Sequence, residues 1–245
     1  MRGFLIAVQF LTSIPVKIKG AIGEKETASS MAFFPLVGLL IGAALALSYN
    51  ILVYILPHAV VCAFILAINV ALTGGLHIDG FIDTVDALAS GADKKRMLEI
   101  MREGRPGAVG IAAAILLFLA QYSLLVSLPK GTIEASLITM AVLSRASFVV
   151  SSAIYPYARE GEGLGRRFAQ RLGRKELWIA GLTALIVIAY IFKLSALLLI
   201  LIVSAVILTF NGYIRGRIGG ITGDTIGALG EIIETVSLAL AVVLI

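Results

Sequence analysis

Long apolar stretches that alternate with short charged loops constrain the fold of this 245-residue chain more than any other feature. Hydrophobic residues make up 59% of the chain and charged residues only 14%, and the mean hydropathy is +1.01. A soluble domain is nearer to half apolar and about a quarter charged. A helix needs about 20 apolar residues to cross a bilayer. The pattern therefore predicts an all-α, polytopic helix bundle in a lipid bilayer, formed by a single domain over residues 1–245.

The apolar stretches predict seven transmembrane helices, preceded by an interfacial helix at the N-terminus. The opening segment MRGFLIAVQFLTSIP has a short apolar run without a small-residue cleavage site, so we expect a retained interfacial helix rather than a signal peptide. The predicted spans are 31–56, 59–77, 108–128, 133–155, 177–192, 194–211 and 225–245. The fifth and sixth together are too long for one span, so a tight turn at Lys193 is expected between them.

The distribution of Lys and Arg provides an independent check on this arrangement. Of the 20 Lys and Arg residues, all but Lys130, Arg145 and Lys193 fall in loops that seven spans put on one side. Because basic loops stay in the cytoplasm, we expect a multi-pass cell-membrane protein whose active site faces the cytoplasm. For most of these residues, a role in membrane topology is a sufficient explanation. The net charge of +5 is therefore no sign of nucleic acid, and we expect no nucleic-acid partner.

The segment GGLHIDGFIDTVDAL carries the strongest chemical signal. Asp79, Asp83 and Asp86 are spaced i, i+4 and i+7, so they share one helix face and repel one another. A divalent cation offsets such repulsion, and hard oxygen ligands suit Mg²⁺, Mn²⁺ or Ca²⁺. Unpaired carboxylates beside lipid are otherwise costly, so we interpret all three as metal ligands, with Asp83 and Asp86 also catalytic. His77 is a further catalytic candidate, although a metal ligand or a hydrogen-bonded interfacial histidine fits the sequence as well.

A second acidic set begins the last predicted helix. Asp224 and Glu231 are seven residues apart on one helix face, and Glu234 follows within an apolar span. An aspartate at this position is also what a helix N-cap requires, but carboxylates inside a span are functional candidates. We therefore add Asp224 and Glu231 to the predicted metal ligands and expect both acidic sets to form one site. Thr222 and Gly223 are expected to contact the substrate.

Arginines and glycines complete the pattern, because a planar guanidinium matches phosphate oxygens and glycines let a ligand approach the backbone closely. Arg102 and Arg105 are the catalytic candidates in the segment MREGRPGAVG. The substrate-binding candidates are Arg145, within a span, and Arg159, Gly161, Gly163 and Gly165, within YPYAREGEGLG. Carboxylates, arginines and glycines together indicate phosphoryl chemistry on a diphosphate. The chain has neither a GxxxxGK[ST] loop nor a dinucleotide-binding fingerprint, which argues against ATP hydrolysis and NAD chemistry.

These segments resemble those of a known family. GGLHIDGFIDTVDAL, MREGRPGAVG, YPYAREGEGLG and RIGGITGDTIGAL are similar to motifs of the cobalamin-5′-phosphate synthases, also called adenosylcobinamide-GDP ribazoletransferases. QFLTSIP and FFPLVGLLIG near the N-terminus are similar to the beginning of that family's sequences. The resemblance extends in order over nearly the whole chain.

The resemblance implies a Mg²⁺-dependent, membrane-embedded transferase in the late, lower-ligand stage of cobamide synthesis. Its substrates would be adenosylcobinamide-GDP and α-ribazole or its 5′-phosphate, and it would release GMP. The implied Mg²⁺ ligands are Asp79, Asp83, Asp86 and Asp224, with Glu231 as a further candidate. Arg102, Arg105 and Arg159 would then hold phosphate oxygens, and a carboxylate or His77 would take the proton of the attacking hydroxyl. The resemblance leaves the oligomeric state open, and a homo-oligomer is one possible state.

Two other classes of protein remain as alternatives. A CDP-alcohol phosphotransferase also uses an aspartate-rich membrane site, but the DGxxAR core of those enzymes is absent because Asp83 occupies the position three residues after Gly80. A secondary transporter would also carry carboxylates and an arginine inside its spans. Against the transporter, the two halves of the chain show no repeat, and the acidic sets lie near helix ends.

Overall fold

The computed structural model describes residues 2–129, 131–159 and 172–244, and the helices of these ranges form a bundle. The first six are α1 (Arg2–Leu11), α2 (Glu24–Ser30), α3 (Phe34–Leu52), α4 (His58–Thr73), α5 (Leu76–Ala89) and α6 (Lys94–Glu103). They are followed by α7 (Ala108–Ser127), α8 (Ile133–Ile154), α9 (Arg174–Phe192), α10 (Ala196–Ile218) and α11 (Gly223–Leu244). Short 3₁₀ turns, Met31–Phe33 and Lys193–Ser195, precede α3 and α10.

Several continuous helical runs are long and apolar enough to cross a bilayer. They are Glu24–Leu52, Ala108–Ser127, Ile133–Ile154, Arg174–Ile218 and Gly223–Leu244. In the most apolar window of α8, 72% of the residues are buried, against 22% in α7 and 28% in Arg174–Ile218. The central helix of the bundle is therefore α8, and the outer helices expose apolar side chains at the surface of the bundle. The predicted polytopic all-α membrane bundle is confirmed.

Close packing of α3 against α8 forms the centre of the bundle. A Cβ atom on Gly38 would lie 2.5 Å from the Ala141 carbonyl oxygen, and one on Gly42 would lie 2.5 Å from the Ile138 Cα. Rising numbers along α3 thus meet falling numbers along α8, so the two helices are antiparallel. Small residues at such crossings let helices approach where lipid provides no hydrophobic driving force.

The run Arg174–Ile218 has 45 residues and would measure about 67 Å as one straight helix, twice the thickness of the hydrocarbon core. Lys193 interrupts it with φ 51° and ψ −120°. Near one end of the run, Ser29 donates a hydrogen bond to Glu176 (3.2 Å), and near the other, Asn211 donates one to Ser151 (2.8 Å). Since α3 and α8 are antiparallel, Ser29 and Ser151 lie at the same end of the bundle, as a hairpin of α9 and α10 requires.

The predicted span 59–77 is wrong at its C-terminal end. Helix α4 ends at Thr73, and α5 begins at Leu76 in a direction 92° away. Gly74 and Gly75 have φ values of 63° and 71°, which side-chain-bearing L-residues rarely adopt. His77 and the aspartates that follow it are therefore on a separate helix. Because α4 and α5 form a bent pair, the count of seven spans stays a prediction.

The N-terminal helix α1 forms as predicted. Ile6, Ala7, Val8 and Leu11 are buried, whereas Arg2 and Gln9 are exposed. The helix is thus amphipathic and packs its apolar face against α2 and α3, with an ion pair between Arg2 and Glu26 (3.3 Å) at its start.

Candidate active site

Helix α5 crosses the first turns of α11 at a very short distance. A Cβ atom on Gly80 would lie 2.8 Å from the Asp224 carbonyl oxygen, and one on Gly227 would lie 3.3 Å from His77. Gly80 is flanked on its own helix by Asp79 and, three residues later, Asp83. The close crossing therefore brings the two acidic sets together, although they are distant in sequence.

Four carboxylates meet at this crossing: Asp79, Asp83, Asp86 and Asp224, which we call the aspartate cluster. Asp83 is only 6% exposed and interacts electrostatically with the other three, all of which oppose its charge. Within the described ranges, no side chain or backbone N–H donates a hydrogen bond to Asp79 or Asp83. These two carboxylates consequently keep their oxygens available to a ligand.

Asp86 differs from them because backbone groups hold both of its oxygens. Oδ2 accepts a hydrogen bond from the Gly107 N–H (2.6 Å), and Oδ1 accepts one from the Gly110 N–H (2.8 Å). These N–H groups belong to the first turn of α7, where a negative charge is also favoured by the helix dipole. Asp86 thereby attaches α5 to α7. Its predicted roles as metal ligand and catalytic residue stay predictions.

Arg159 forms an ion pair with Asp224, through Nη2 and Oδ2. The pair depends on a backbone bridge beside it, in which Ala158 N–H donates to the Ile221 carbonyl and Ile221 N–H donates to the Pro156 carbonyl, both at 2.8 Å. This bridge holds the segment after α8 against the loop before α11. The structure thus brings a predicted phosphate-binding arginine to the aspartate cluster.

The first turn of α11 is capped by Thr222 rather than by Asp224. Thr222 N–H donates to the Thr225 hydroxyl (2.8 Å), and Thr225 N–H donates to the Thr222 hydroxyl (3.2 Å). Such a reciprocal cap leaves Asp224 free to pair with Arg159. Thr222 is fully buried and Gly223 is exposed, so of these two predicted substrate contacts, only Gly223 lies at the surface.

The other predicted cations are separated by the fold. Arg102 and Arg105 are exposed, but only Arg102 lines the cavity of ≈580 Å³ that Arg159 also borders. Lys94 and Lys95 line the same cavity, and sequence analysis missed them because a lysine in a basic loop is indistinguishable from a topology determinant. The predicted contacts Gly161, Gly163 and Gly165 lie outside the described residues.

Deeper in the bundle lies a second group, Asn69, His77, Gln121, Arg145, Glu231 and Glu234, which we call the buried polar cluster. Arg145 is 0% exposed and forms an ion pair with Glu234, whose other oxygen accepts a hydrogen bond from Asn69 (2.8 Å). An Nη2 of Arg145 lies 3.4 Å from His77 Nδ1. Arg145, which was predicted to bind substrate, is thus enclosed by protein.

Glu231 belongs to this buried polar cluster and not to the aspartate cluster. It accepts a hydrogen bond from Gln121 (3.4 Å) and interacts electrostatically with Glu234 and Arg145. Seven residues of helix separate it from Asp224 by about 10 Å along the axis. Gln121 and Asn69 were missed by sequence analysis, although a polar residue within an apolar span is a recognisable signal.

The donor set of the aspartate cluster can be compared with what Mg²⁺ requires. In the part of the chain that the structure describes, no three His, Cys, Asp or Glu side chains converge into a ready-made metal cage. Mg²⁺, however, is usually held by one or two carboxylates together with substrate phosphates and water. Asp79 and Asp83, whose oxygens have no donors among the described residues, fit that mode. The complete predicted ligand set stays a prediction.

Fold and site together define an integral membrane protein with a carboxylate-rich site, paired with Arg159, at one end of a helix bundle. The family model for cobalamin-5-phosphate synthase matches residues 3–242, and the chain belongs to that family. This confirms the family indicated by the sequence motifs.

Relatives named adenosylcobinamide-GDP ribazoletransferase align over almost the full length of both chains. The protein of Thermoanaerobacter pseudethanolicus is 36% identical, over 97% of this chain and 96% of its own length. The protein of Caldanaerobacter subterraneus subsp. tengcongensis is 34% identical over the same shares, and that of Acinetobacter baumannii is 38% identical over 96% and 95%. No solved structure matches the chain.

Proposed function

We propose that this protein transfers the adenosylcobinamide-phosphate part of adenosylcobinamide-GDP to α-ribazole, or to its 5′-phosphate, and releases GMP in late cobalamin biosynthesis. The names of its relatives and its family membership support this reaction. The observation that carries the proposal is the meeting of open carboxylates with an arginine: Asp83 interacts electrostatically with Asp79 and Asp224, and Asp224 is paired with Arg159.

In the proposed reaction, a ribose hydroxyl oxygen of the α-ribazole substrate attacks the phosphorus that is bound to the cobinamide arm. The new O–P bond replaces the bond from that phosphorus to the bridging oxygen, which leaves with GMP. We assign the hydroxyl proton to Asp83, and this role is supported by its buried carboxylate, which has no hydrogen-bond donor among the described residues. His77 is a weaker candidate for this step, since it is buried between Phe148 and Arg145.

In this proposal, the arginines bind the phosphates. Arg159 pairs with the aspartate cluster, and Arg102 lines the same cavity, so we expect the two to bind the phosphates of a diphosphate. Positioning and charge stabilisation dominate phosphoryl transfer, and cationic side chains supply both.

Mg²⁺ is part of this proposal, with Asp79, Asp83 and Asp224 as the residues that would hold it. When bound, it would neutralise the diphosphate and stabilise the departing GMP. Its ligands on this chain are carboxylates that otherwise repel one another and the diphosphate. Because Mg²⁺ would offset this repulsion, we expect Mg²⁺ and the substrate each to bind more tightly when the other is present.

We further propose that the protein lies in the cell membrane with the aspartate cluster on the cytoplasmic side. Lys94, Lys95, Arg102 and Arg105 lie close to this cluster in sequence, and basic loops stay in the cytoplasm. A reporter fused after Arg171 should then be cytoplasmic and one fused after Ile245 extracytoplasmic. Reporters on the same side would contradict the seven-span arrangement.

The decisive experiment uses the purified full-length protein in detergent with adenosylcobinamide-GDP, α-ribazole and Mg²⁺. We expect release of GMP together with formation of the joined corrinoid product, and loss of both when a chelator is added. A protein that yields no product in detergent, but moves a labelled corrinoid into proteoliposomes, would instead be a transporter.

A further inference from the structure

A cavity of ≈580 Å³ opens beside the aspartate cluster, between α6 and the segment that carries Arg159. This volume lies within the range of about 300–1,000 Å³ that is typical of small-molecule sites. Lys94, Lys95, Arg102 and Arg159 line the cavity, and Leu98 and Ala158 add apolar surface. The combination of cations with a small apolar wall is what an anionic organic ligand requires.

The cavity is electropositive because four cationic side chains and only two acidic ones line it, and both acidic residues have partners of their own. Asp93 accepts a hydrogen bond from the Arg96 backbone N–H (2.8 Å), as the N-cap of α6. Glu99 forms an ion pair with the Arg96 side chain (3.3 Å). In contrast, no residue of the described ranges forms an ion pair with Lys94, Lys95 or Arg102. These three charges are therefore available to a ligand.

Arg159 connects the cavity to the aspartate cluster. Its Nη2 pairs with Asp224, whereas its Nε–H is buried and has no hydrogen-bond partner among the described residues. A buried N–H without an acceptor is unfavourable, so a ligand oxygen at this position would be stabilised. A phosphate in the cavity would then lie next to the carboxylates at which the reaction takes place.

We propose that this cavity binds the guanosine-phosphate end of the substrate and holds GMP as it leaves, with Lys95 as a phosphate-binding residue. The proposal rests on the proposed function and specifies which of its two substrates occupies the cavity. A free phosphate would fill only a small part of the volume, whereas a nucleoside monophosphate also uses the apolar wall. The 5′-phosphate of α-ribazole has the same chemistry, and the experiment separates the two sources.

Lys95 is the cleaner residue to change. Lys94 Nζ also lies beside Gly219 at the C-terminal end of α10, where a Cβ atom would come within 2.5 Å of it, so its loss would disturb that helix end as well. A matched control is Lys175. Both Lys95 and Lys175 are exposed and occupy the second position of a helix, but only Lys95 lines the cavity.

The experiment measures the dissociation constant of labelled GMP by equilibrium dialysis, on the full-length protein and on the Lys95→Ala and Lys175→Ala variants. The KM values for adenosylcobinamide-GDP, α-ribazole and α-ribazole 5′-phosphate are then determined for each. For Lys95→Ala we expect about tenfold weaker GMP binding and an equal rise in the KM for adenosylcobinamide-GDP, the loss of one charge-assisted hydrogen bond. Lys175→Ala should leave every constant unchanged.

The proposal is overturned if Lys95→Ala binds GMP as tightly as the unchanged protein. It is also overturned if only the KM for α-ribazole 5′-phosphate rises, because the cavity would then hold the other substrate. Failure of the proposed function has a different signature, since the unchanged protein would then form no product. GMP dialysis needs no turnover and would still decide whether the cavity binds a nucleotide.

Discussion

Carboxylates occur in two clusters of this protein, and the clusters differ in the partners that their carboxylates have. In the aspartate cluster, Asp79 and Asp83 have no hydrogen-bond donor among the described residues, and like charges surround them. In the buried polar cluster, Glu234 is bonded to both Arg145 and Asn69. A charge in the interior of a membrane bundle must be paired, because unpaired it costs several kcal/mol. A carboxylate that receives a metal or a proton must instead keep a free oxygen.

This difference indicates that the two clusters have different roles. The buried polar cluster joins five helices, with Asn69 on α4, His77 on α5, Gln121 on α7, Arg145 on α8, and Glu231 and Glu234 on α11. Helix α5 carries the aspartates, and its N-terminal end is thus held by Arg145. We infer that the buried polar cluster positions α5 and does not contact substrate, whereas the aspartate cluster performs the chemistry.

The largest effect is expected from breaking the buried ion pair. Arg145→Ala leaves Glu234 charged and enclosed, which costs about 3–5 kcal/mol of folding free energy. We expect a clear fall in the unfolding temperature in detergent and a smaller folded fraction on size-exclusion chromatography. The control is Arg2→Ala, because the Arg2–Glu26 pair is about 44% exposed and contributes about 0–1 kcal/mol.

A double variant, Arg145→Met with Glu234→Leu, separates stability from positioning. Since both charges are removed together, most of the folding free energy should return. GMP release should nevertheless stay below that of the unchanged protein, because α5 has lost its polar connection to α8. Full activity in this folded double variant would contradict the positioning role.

The next largest effect is expected on the rate of the reaction and not on the stability of the fold. Asp83→Asn keeps the shape of the side chain but removes its charge, so GMP release should fall by about 10²–10³-fold, the loss typical of a group that acts in the transition state. The unfolding temperature should not fall, because repulsion within the aspartate cluster decreases. Glu103→Gln, at an exposed ion pair with Arg96, serves as the control. A near-normal rate for Asp83→Asn would remove it from the mechanism.

The helix that carries Asp79, Asp83 and Asp86 could be predicted from the sequence because its information is local. The spacing of Asp79, Asp83 and Asp86 places them on one face of a helix, and the structure has that helix. The charge pattern likewise indicated that both acidic sets lie near the same end of the bundle. Their meeting depends on Gly80, however, and a single glycine does not disclose which backbone approaches it.

Pairwise contacts between distant residues could not be predicted. The sequence indicates that Arg145 needs a partner within the membrane, but Asp224, Glu231 and Glu234 all qualify until the helices are packed. Asp86 shows the same limit, since the N–H groups of Gly107 and Gly110 that hold it carry no signal of their own. The bend at Gly74–Gly75 was missed because the apolar pattern continues through it.

The smallest expected effect concerns two neighbouring arginines that the sequence treated alike. Arg102 lines the cavity shared with Arg159, whereas Arg105 is exposed and does not line it. Loss of a charge-assisted contact costs about 1.5–3 kcal/mol, so Arg102→Ala should lower kcat/KM for adenosylcobinamide-GDP roughly tens-fold, and Arg105→Ala should lower it much less. Arg102→Lys should recover part of the loss, because a lysine keeps the charge but not the planar fork. Equal losses in both alanine variants would show that phosphate binding extends beyond the cavity. The phosphate-binding surface beside the aspartate cluster would then include the turn that precedes α7, where Arg105 lies.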